Sequence, residues 1–230
     1  MAGERARPPS AASDQPSMMR YDRRAIVLAS CFSGLAGYID ALGFIALGGF
    51  FVSFMTGNTT RLGIELAGSH GGGIALAAGI LALFVGGVVL GSLVGHVAGR
   101  RRPPAVLALV TVCLFVSAAL DTAGFTMAAV CLLAVAMGSE NAVFQRDGEV
   151  TIGLTYMTGT LVKMGQRIAA AMLGGPPLAF VRHFLLWLGL MLGACIGATV
   201  HGMIGLAAIW IAAGAAALLS IAASFLLHDG

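Results

Sequence analysis

Six long apolar runs alternate with short polar stretches along the chain. A helix needs about 20 apolar residues to cross the hydrocarbon core of a bilayer, and most of the runs reach that length. We therefore predict six spanning helices, at about residues 25–47, 74–97, 105–120, 125–144, 180–200 and 205–227. Two further segments, 50–67 and 150–173, are long enough for a helix but carry polar and basic residues.

The composition indicates a membrane protein. Hydrophobic residues make up 58% of the chain and charged residues only 10%, whereas a soluble domain carries about 25% charged residues. The chain therefore cannot cover itself with a polar surface. Its formal net charge of +3 comes mostly from arginines outside the apolar runs, which favours a role in membrane orientation over nucleic-acid binding.

The chain divides into a tail and one membrane domain. Residues 1–24 are small, charged and proline-containing, and we expect them to form a disordered cytoplasmic tail. Residues 25–122 and 123–228 are expected to form the first and second membrane repeats. The four cysteines stand singly in apolar runs and the loops are short, so we expect no metal site and no cofactor.

The arginines distinguish six crossings from eight, because cytoplasmic loops carry an excess of Lys and Arg. If both polar segments cross the membrane, residues 100–102 and Arg146 face outward. If neither crosses, ten of the thirteen basic residues lie on the cytoplasmic side. The sequence therefore favours six crossings, with both termini in the cytoplasm.

The two halves of the chain carry the same polar motif. Met-Thr-Gly at residues 55–57 recurs 102 positions later at residues 157–159, and Arg61 is matched by Lys163. Two series of glycines follow in the same register: Gly87, Gly91 and Gly95 in the first half, and Gly189, Gly193 and Gly197 in the second. The repetition indicates two related units.

Each unit has a span, a polar segment and two more spans. Asp40 in the first span is matched by Asn141 at an offset of 101. Because three crossings is an odd number, the second unit must be inverted relative to the first. Inverted repeats with interrupted segments are typical of secondary transporters, whose binding site lies at the repeat interface. A duplication that only preserved good helix packing gives the same pattern.

The sequences GYIDALGF and FVSFMTGNTTRLG, with NAV and YMTGTLVKMG in the second half, resemble the YoaK family of bacterial membrane proteins. The resemblance covers about residues 26–227. It implies a bacterial inner-membrane protein from a domain-of-unknown-function family, and it implies no established reaction. The second motif has Thr160 where the first has Asn58, so the two copies are not chemically equivalent.

The Met-Thr-Gly motif is compatible with two local structures. In the first, Gly57 adopts backbone angles that other residues avoid, and Thr56 or Asn58 caps a helix that starts there. The unpaired backbone groups at such a break attract ions at membrane depth. In the second, the helix is continuous, its threonines bond their own carbonyls, and the glycine packs against a neighbour.

Asp40 is the leading single candidate for a functional residue. It lies two thirds along the first predicted span, where a charged residue costs roughly 2.5–3.5 kcal/mol on insertion scales. We expect its partner to be Arg61, because the second half sets Asn141 against Lys163 in the same way. Such a pair either takes part in transport or only holds the polar segment in place.

These patterns predict an all-α polytopic membrane protein, with six transmembrane helices and two polar re-entrant or interrupted helices arranged as two inverted repeats. We expect a small transporter or channel for a small polar or ionic solute, and the alternative is a membrane scaffold or assembly partner without transport. No catalytic motif is present, so we expect no enzyme. The expected partners are the lipid bilayer, the solute and a second copy bound through the glycine-rich faces, with no nucleic acid. The predicted solute site consists of Asp40, Thr56, Gly57, Asn58, Arg61, Asn141, Thr158, Gly159, Thr160 and Lys163.

Overall fold

Helices make up most of the part of the chain that the structure describes. The computed structural model describes residues 23–143, 145–146, 149–150 and 155–226. Over these residues the helices are α1 (Arg23–Ala46), α2 (Met55–Gly68), α3 (Gly71–Ala98), α4 (Arg102–Thr122), α5 (Thr126–Glu140), α6 (Met157–Met172), α7 (Val181–Ile204) and α8 (Ile209–Leu226). The apolar runs correspond to α1, α3, α4, α5, α7 and α8, and the two polar segments contain α2 and α6.

The remaining described elements are short. Single 3₁₀ turns, Gly99–Arg101 and Gly205–Ala208, precede α4 and α8. Between α5 and α6, strands β1 (Gln145–Arg146) and β2 (Glu149–Val150) pair in an antiparallel hairpin. The predicted tail lies outside the described residues, except that its last two arginines begin α1.

Four segments of the described chain are long and apolar enough to cross a membrane: Ile26–Ala46, Gly71–Ala98, Arg102–Thr122 and Val181–Phe225. The last has 45 residues, which as a straight helix would be about twice as long as the hydrocarbon core is thick. It divides into α7 and α8 at Gly205, whose φ of +61° favours glycine. Helix α5 is apolar but has only 15 residues, fewer than the run that predicted it.

Helices α1 and α7 form the closest packing contact among the described helices. A Cβ atom at Gly189 would lie 2.5 Å from the Ser30 carbonyl oxygen, and one at Gly197 would lie 2.5 Å from that of Tyr38. The contacting positions rise together along both helices, so α1 and α7 are parallel. The Ser33 hydroxyl also donates a hydrogen bond of 3.0 Å to the Leu186 carbonyl.

Helices α3 and α5 pack in the same way. A Cβ atom at Gly91 would lie 2.7 Å from the Ser139 carbonyl oxygen, and Gly87 lies against the backbone of Val135. These positions also rise together, so α3 and α5 are parallel. The Ser139 hydroxyl donates 2.9 Å hydrogen bonds to the carbonyls of Gly87 and Val135. The glycine faces are therefore occupied within the chain, because helices of the same chain cover them.

Helix α4 runs antiparallel to its neighbours α5 and α8. The Ser117 hydroxyl donates to the Ala129 carbonyl at 2.8 Å across the tight turn between α4 and α5. Thr111, near the middle of α4, lies 3.0 Å from the Ser220 hydroxyl, while the Trp210 indole donates to Thr122 at 3.2 Å. Positions along α4 rise as those along α8 fall.

The six apolar helices therefore fall into two directions. Helix α8 begins beside the end of α1, where the Tyr38 hydroxyl donates to the Ala208 carbonyl at 3.0 Å, so α8 is antiparallel to α1. Combined with the contacts above, α1, α4 and α7 point one way and α3, α5 and α8 point the other. The buried core between them is formed largely by Ala, Leu, Val and Phe side chains.

Candidate functional site

The first polar motif lies beside a loop that folds back onto the end of α1. The Asp40 carboxylate accepts hydrogen bonds of 2.8 Å from the backbone N–H groups of both Val52 and Ser53. Those N–H groups belong to an irregular segment with no helical partners, and a buried unpaired N–H is costly. Asp40 therefore stabilises the return of the loop, and Gly43 leaves space for the Val52 side chain.

Asn58 holds the same loop from the other side. Its side-chain oxygen accepts from the Phe51 N–H at 3.0 Å, and its amide donates to the Phe51 carbonyl at 2.6 Å. The Asn58 side chain is fully buried. One amide thus satisfies both polar groups of one loop residue, as an adjacent strand would do. Asn58 therefore has a structural partner and is not open to solvent.

The Met-Thr-Gly motif forms the first turn of α2 and does not interrupt a helix. Helix α2 begins at Met55 with Phe54 as its N-cap and without a side-chain capping hydrogen bond. Gly57 does not have a positive φ, so the predicted break and caps are wrong at this position. Instead a Cβ atom at Gly57 would lie 2.5 Å from the Phe54 ring, which shows that Gly57 makes space for an aromatic side chain.

The hydroxyls of the following threonines stay within α2. Thr59 donates to the Met55 carbonyl at 2.8 Å and Thr60 to the Thr56 carbonyl at 3.1 Å. This is the behaviour expected of a continuous helix. Thr56 itself is exposed.

Arg61 does not pair with Asp40, so that predicted ion pair is wrong. The Arg61 guanidinium carbon lies 4.3 Å from the centroid of the Phe50 ring, a cation–π geometry, and the guanidinium fills the space beside Gly49. Throughout the described residues, the ion pair that the structure contains is His70–Glu65 at 3.4 Å. The backbone N–H groups of the loop, and not a basic side chain, bind the Asp40 carboxylate.

The second half repeats the link to the loop with neutral groups. The Thr155 hydroxyl donates to the Asn141 side-chain oxygen at 3.0 Å, and the Asn141 amide donates to the Met137 carbonyl at 2.9 Å. Thr155 is the counterpart of Ser53, 102 positions later. In each half, the polar residue at the end of the first helix therefore bonds the residue that lies two positions before the Met-Thr-Gly motif.

The rest of the second motif is more open than the first. Helix α6 begins at Met157, again without a side-chain capping bond. Thr158, Gly159 and Lys163 are exposed, and no atom lies within 4 Å of a Cβ atom built on Gly159. Thr160 is buried and donates its N–H to the Tyr156 carbonyl at 3.0 Å.

The two motifs do not meet in one site. Helix α2 packs against α3 and α6 packs against α7, and the described parts of α2 and α6 do not contact each other. The ten predicted site residues thus separate into two groups, one in each half. Asp40 and Asn141 lie on α1 and at the end of α5, two elements that do contact each other.

Glu140 is a polar residue that sequence reasoning did not select. Its side chain is fully buried, and neither carboxylate oxygen has a hydrogen-bonding partner among the residues that the structure describes. Eleven residues make three helical turns, so Glu140 lies on the same face of α5 as Ala129, which bonds α4. The available signal was an acidic residue inside an apolar run, next to Asn141.

The helices and their apolar surfaces define an integral membrane protein, and comparisons with known proteins agree. The chain belongs to the family described as Protein of unknown function (DUF1275), whose model matches residues 28–222. It is 35% identical over 198 residues to the UPF0700 transmembrane protein RA0705 of Rhizobium meliloti strain 1021, covering 86% of this chain and 85% of that protein.

A second relative is the UPF0700 transmembrane protein YoaK of Bacillus subtilis strain 168. It is 32% identical over 144 residues, which cover 58% of this chain and 63% of that protein. The resemblance to the YoaK family drawn from the polar motifs is therefore confirmed. No solved structure matches the chain significantly.

Proposed function

We propose that the protein spans the bacterial inner membrane six times, as two inverted repeats with both termini in the cytoplasm. Exchanging α1 with α5, α3 with α7, and α4 with α8 converts the α1–α7 contact into the α5–α3 contact. The same exchange converts the α4–α5 contact into α8–α1 and the α2–α3 contact into α6–α7, and all of these contacts are present. Each helix and its counterpart run in opposite directions, which supports the inversion.

We further propose that the protein is a small transporter or channel, with a proton or another small cation as the ion that enters its centre. The observation that carries this proposal is Glu140, which is buried and has no hydrogen-bonding partner in the described part of the chain. A charged group inside a membrane protein costs on the order of 3 kcal/mol and usually marks an ion pathway. A protein that only needed packing would gain stability from an apolar residue at this position.

Asp40 and Asn141 have a supporting role in this proposal. Each ties an irregular loop to the end of a helix, so each half has a helix end whose polar groups are held in place. Irregular backbone at membrane depth is tolerated where protein satisfies its polar groups. Movement of one repeat against the other would then expose Glu140 first to one side of the membrane and then to the other. Catalysis has no place in this proposal.

The proposal is tested with purified protein in proteoliposomes. Proton entry is followed with a trapped pH-sensitive dye under a potassium diffusion potential, and sodium entry with radioactive sodium. We expect uptake of at least one ion above that of protein-free vesicles, and we expect Glu140→Gln to lower it at least ten-fold. Asp121→Asn is the matched control, because Asp121 lies at the α4–α5 turn and bonds Thr126. Uptake that is equal in wild type, Glu140→Gln and empty vesicles would refute the proposal.

The competing function is a scaffold or assembly partner without transport. Two observations favour it, namely the internal hydrogen bonding of both loops and the close glycine contacts of α1 with α7 and α3 with α5. A scaffold predicts no ion uptake by the wild type. The uptake measurement therefore distinguishes the two functions.

A further inference from the structure

An apolar groove runs along the outside of α1, α7 and α8. Its cavity volume is about 590 Å³, and its described lining is formed almost wholly by carbon atoms. The glycines Gly34, Gly189 and Gly193 lie in this lining, where the absence of side chains lets the backbones of α1 and α7 approach closely. Because the protein is integral to the membrane, this groove faces lipid.

The length of the groove matches one leaflet of a bilayer. On α1 it extends from Val27 to Tyr38, a rise of about 16 Å at 1.5 Å per residue. The hydrocarbon core is about 30 Å thick, so the groove covers roughly half of it. It begins near the first turn of α1 and ends near the middle of the membrane. A hydrocarbon chain of a single phospholipid has these dimensions.

Positive charge lies at the end of the groove nearest the start of α7. Arg182 precedes the lining residues Leu185 and Gly189 by three and seven positions, so all three lie on one stripe of α7. Since α1 and α7 are parallel, the start of α1 lies at the same end. Among the described residues no carboxylate forms an ion pair with Arg182, whose Nε donates a 3.4 Å bond to the Ala179 carbonyl.

More basic groups surround the start of α7. The positive charges of Lys163 and Arg167 on α6 act on His183 together with that of Arg182. The end of the groove nearest the start of α7 thus carries a concentrated positive potential, which attracts the anionic headgroups of the cytoplasmic leaflet. A neutral headgroup gains nothing from it.

We propose that the groove between α1, α7 and α8 binds one chain of an anionic phospholipid, whose phosphate group contacts Arg182. The site is separate from Glu140 and Asp40; it rests on the proposed orientation with cytoplasmic termini and not on transport. The bound lipid packs over the seam where the backbones of α1 and α7 approach at these glycines. It ties the start of α1 to the start of α7 through one headgroup.

The test is native mass spectrometry of the full-length protein, released from detergent after incubation with phosphatidylglycerol or phosphatidylcholine. We expect one phosphatidylglycerol to be retained and phosphatidylcholine to be lost at the same collision energy. Arg182→Gln should weaken retention of phosphatidylglycerol roughly five-fold, the effect of one basic residue near an anionic headgroup. Arg61→Gln, which changes a cation elsewhere, should leave retention unchanged.

A matched pair of cysteines tests the groove itself. Cys31 lines the groove, whereas Cys195 is exposed on α7 outside the lining, and both thiols are free. Cys31→Phe should fill the groove and reduce phosphatidylglycerol retention at least five-fold, and Cys195→Phe should not reduce it. Both positions are exposed, so the fold should tolerate both changes. Equal retention of the two lipids, or equal retention by the two phenylalanine variants, would overturn the proposal.

Discussion

The two polar motifs have nearly the same sequence and different surroundings. In the first half, the Asp40 carboxylate accepts hydrogen bonds from two backbone N–H groups. The Asn58 side chain bonds both the N–H and the carbonyl of one loop residue. In the described part of the second half, the side-chain oxygen of Asn141 accepts one threonine hydroxyl. Aromatic rings pack around Gly57, whereas Gly159 has open space beside it. Among the described residues the first copy therefore has the more contacts, and we expect the second to be the looser of the two.

The difference between the copies has a chemical reason. A carboxylate accepts several hydrogen bonds, and charge-assisted bonds are about twice as strong as neutral ones. An amide offers one accepting oxygen and must place its own donors, which Asn141 does at the Met137 carbonyl. The exchange of Asp40 for Asn141 thus changes the stiffness of the loop more than its position. If one half moves during function, we expect it to be the second.

The largest effect should come from truncating the two counterpart residues. Asp40→Ala leaves two loop N–H groups without an acceptor, at about 1–3 kcal/mol each, so we expect a loss of about 2–6 kcal/mol in the free energy of unfolding. Asn141→Ala removes one such bond and should cost about 1–2 kcal/mol. Unfolding in mixed micelles, followed by tryptophan fluorescence, measures both. Asp40→Asn keeps an accepting oxygen and should recover most of the loss, and equal losses for the two alanine variants would contradict the comparison.

Substitutions at the two glycines should have smaller effects on the free energy of unfolding, and the two effects should have opposite signs. In Gly57→Ala the new Cβ atom meets the Phe54 ring at 2.5 Å, and such overpacking should lower the free energy of unfolding by about 1 kcal/mol. Gly159→Ala adds a Cβ atom in open space inside α6 and should raise it by up to about 1 kcal/mol, because alanine favours the helix. The same unfolding measurement applies. A gain at both positions would show that the ring yields freely.

The smallest effect should distinguish the two basic residues. Arg61→Gln removes the cation above the Phe50 ring and should cost about 0.5–1 kcal/mol. Lys163 is exposed, and Lys163→Gln should change the free energy of unfolding by less than about 0.5 kcal/mol. Thermal melting of both variants in the same detergent resolves the difference. Identical melting temperatures would mean that the contact of Arg61 with the ring adds no stability.

Apolar length predicted the helices well, and local chemistry set their ends. Each of the six runs contains one helix. Helix α4 starts earlier than predicted because two prolines occupy its first turn, where their missing N–H groups are not needed. Helix α5 ends sooner than its apolar run because the chain turns after Glu140 to bring Asn141 towards Thr155. Hydropathy alone does not register such a turn.

The candidate site was less predictable, because its partners come from tertiary contacts. Sequence reasoning selected Asp40 and paired it with Arg61 from their charges and from the matching positions in the second half, whereas the backbone N–H groups of the loop bind Asp40 in the structure. The backbone N–H donor is the same at every position, so no residue pattern predicts which of these donors binds a side chain. Glu140 is an unusual residue visible in the sequence, but its lack of a partner becomes apparent only when the helices are packed.

The parallel contact between α1 and α7 has a consequence for how the protein is made. The bond from Ser33 to Leu186 joins residues 153 positions apart, and synthesis at about 5–20 residues per second takes on the order of ten seconds to pass from one to the other. During that interval the face of α1 that packs against the α7 glycines has already entered the bilayer without the helix that will cover it. Insertion machinery or lipid must shelter this face, and a ribosome that stalls before α7 leaves it uncovered.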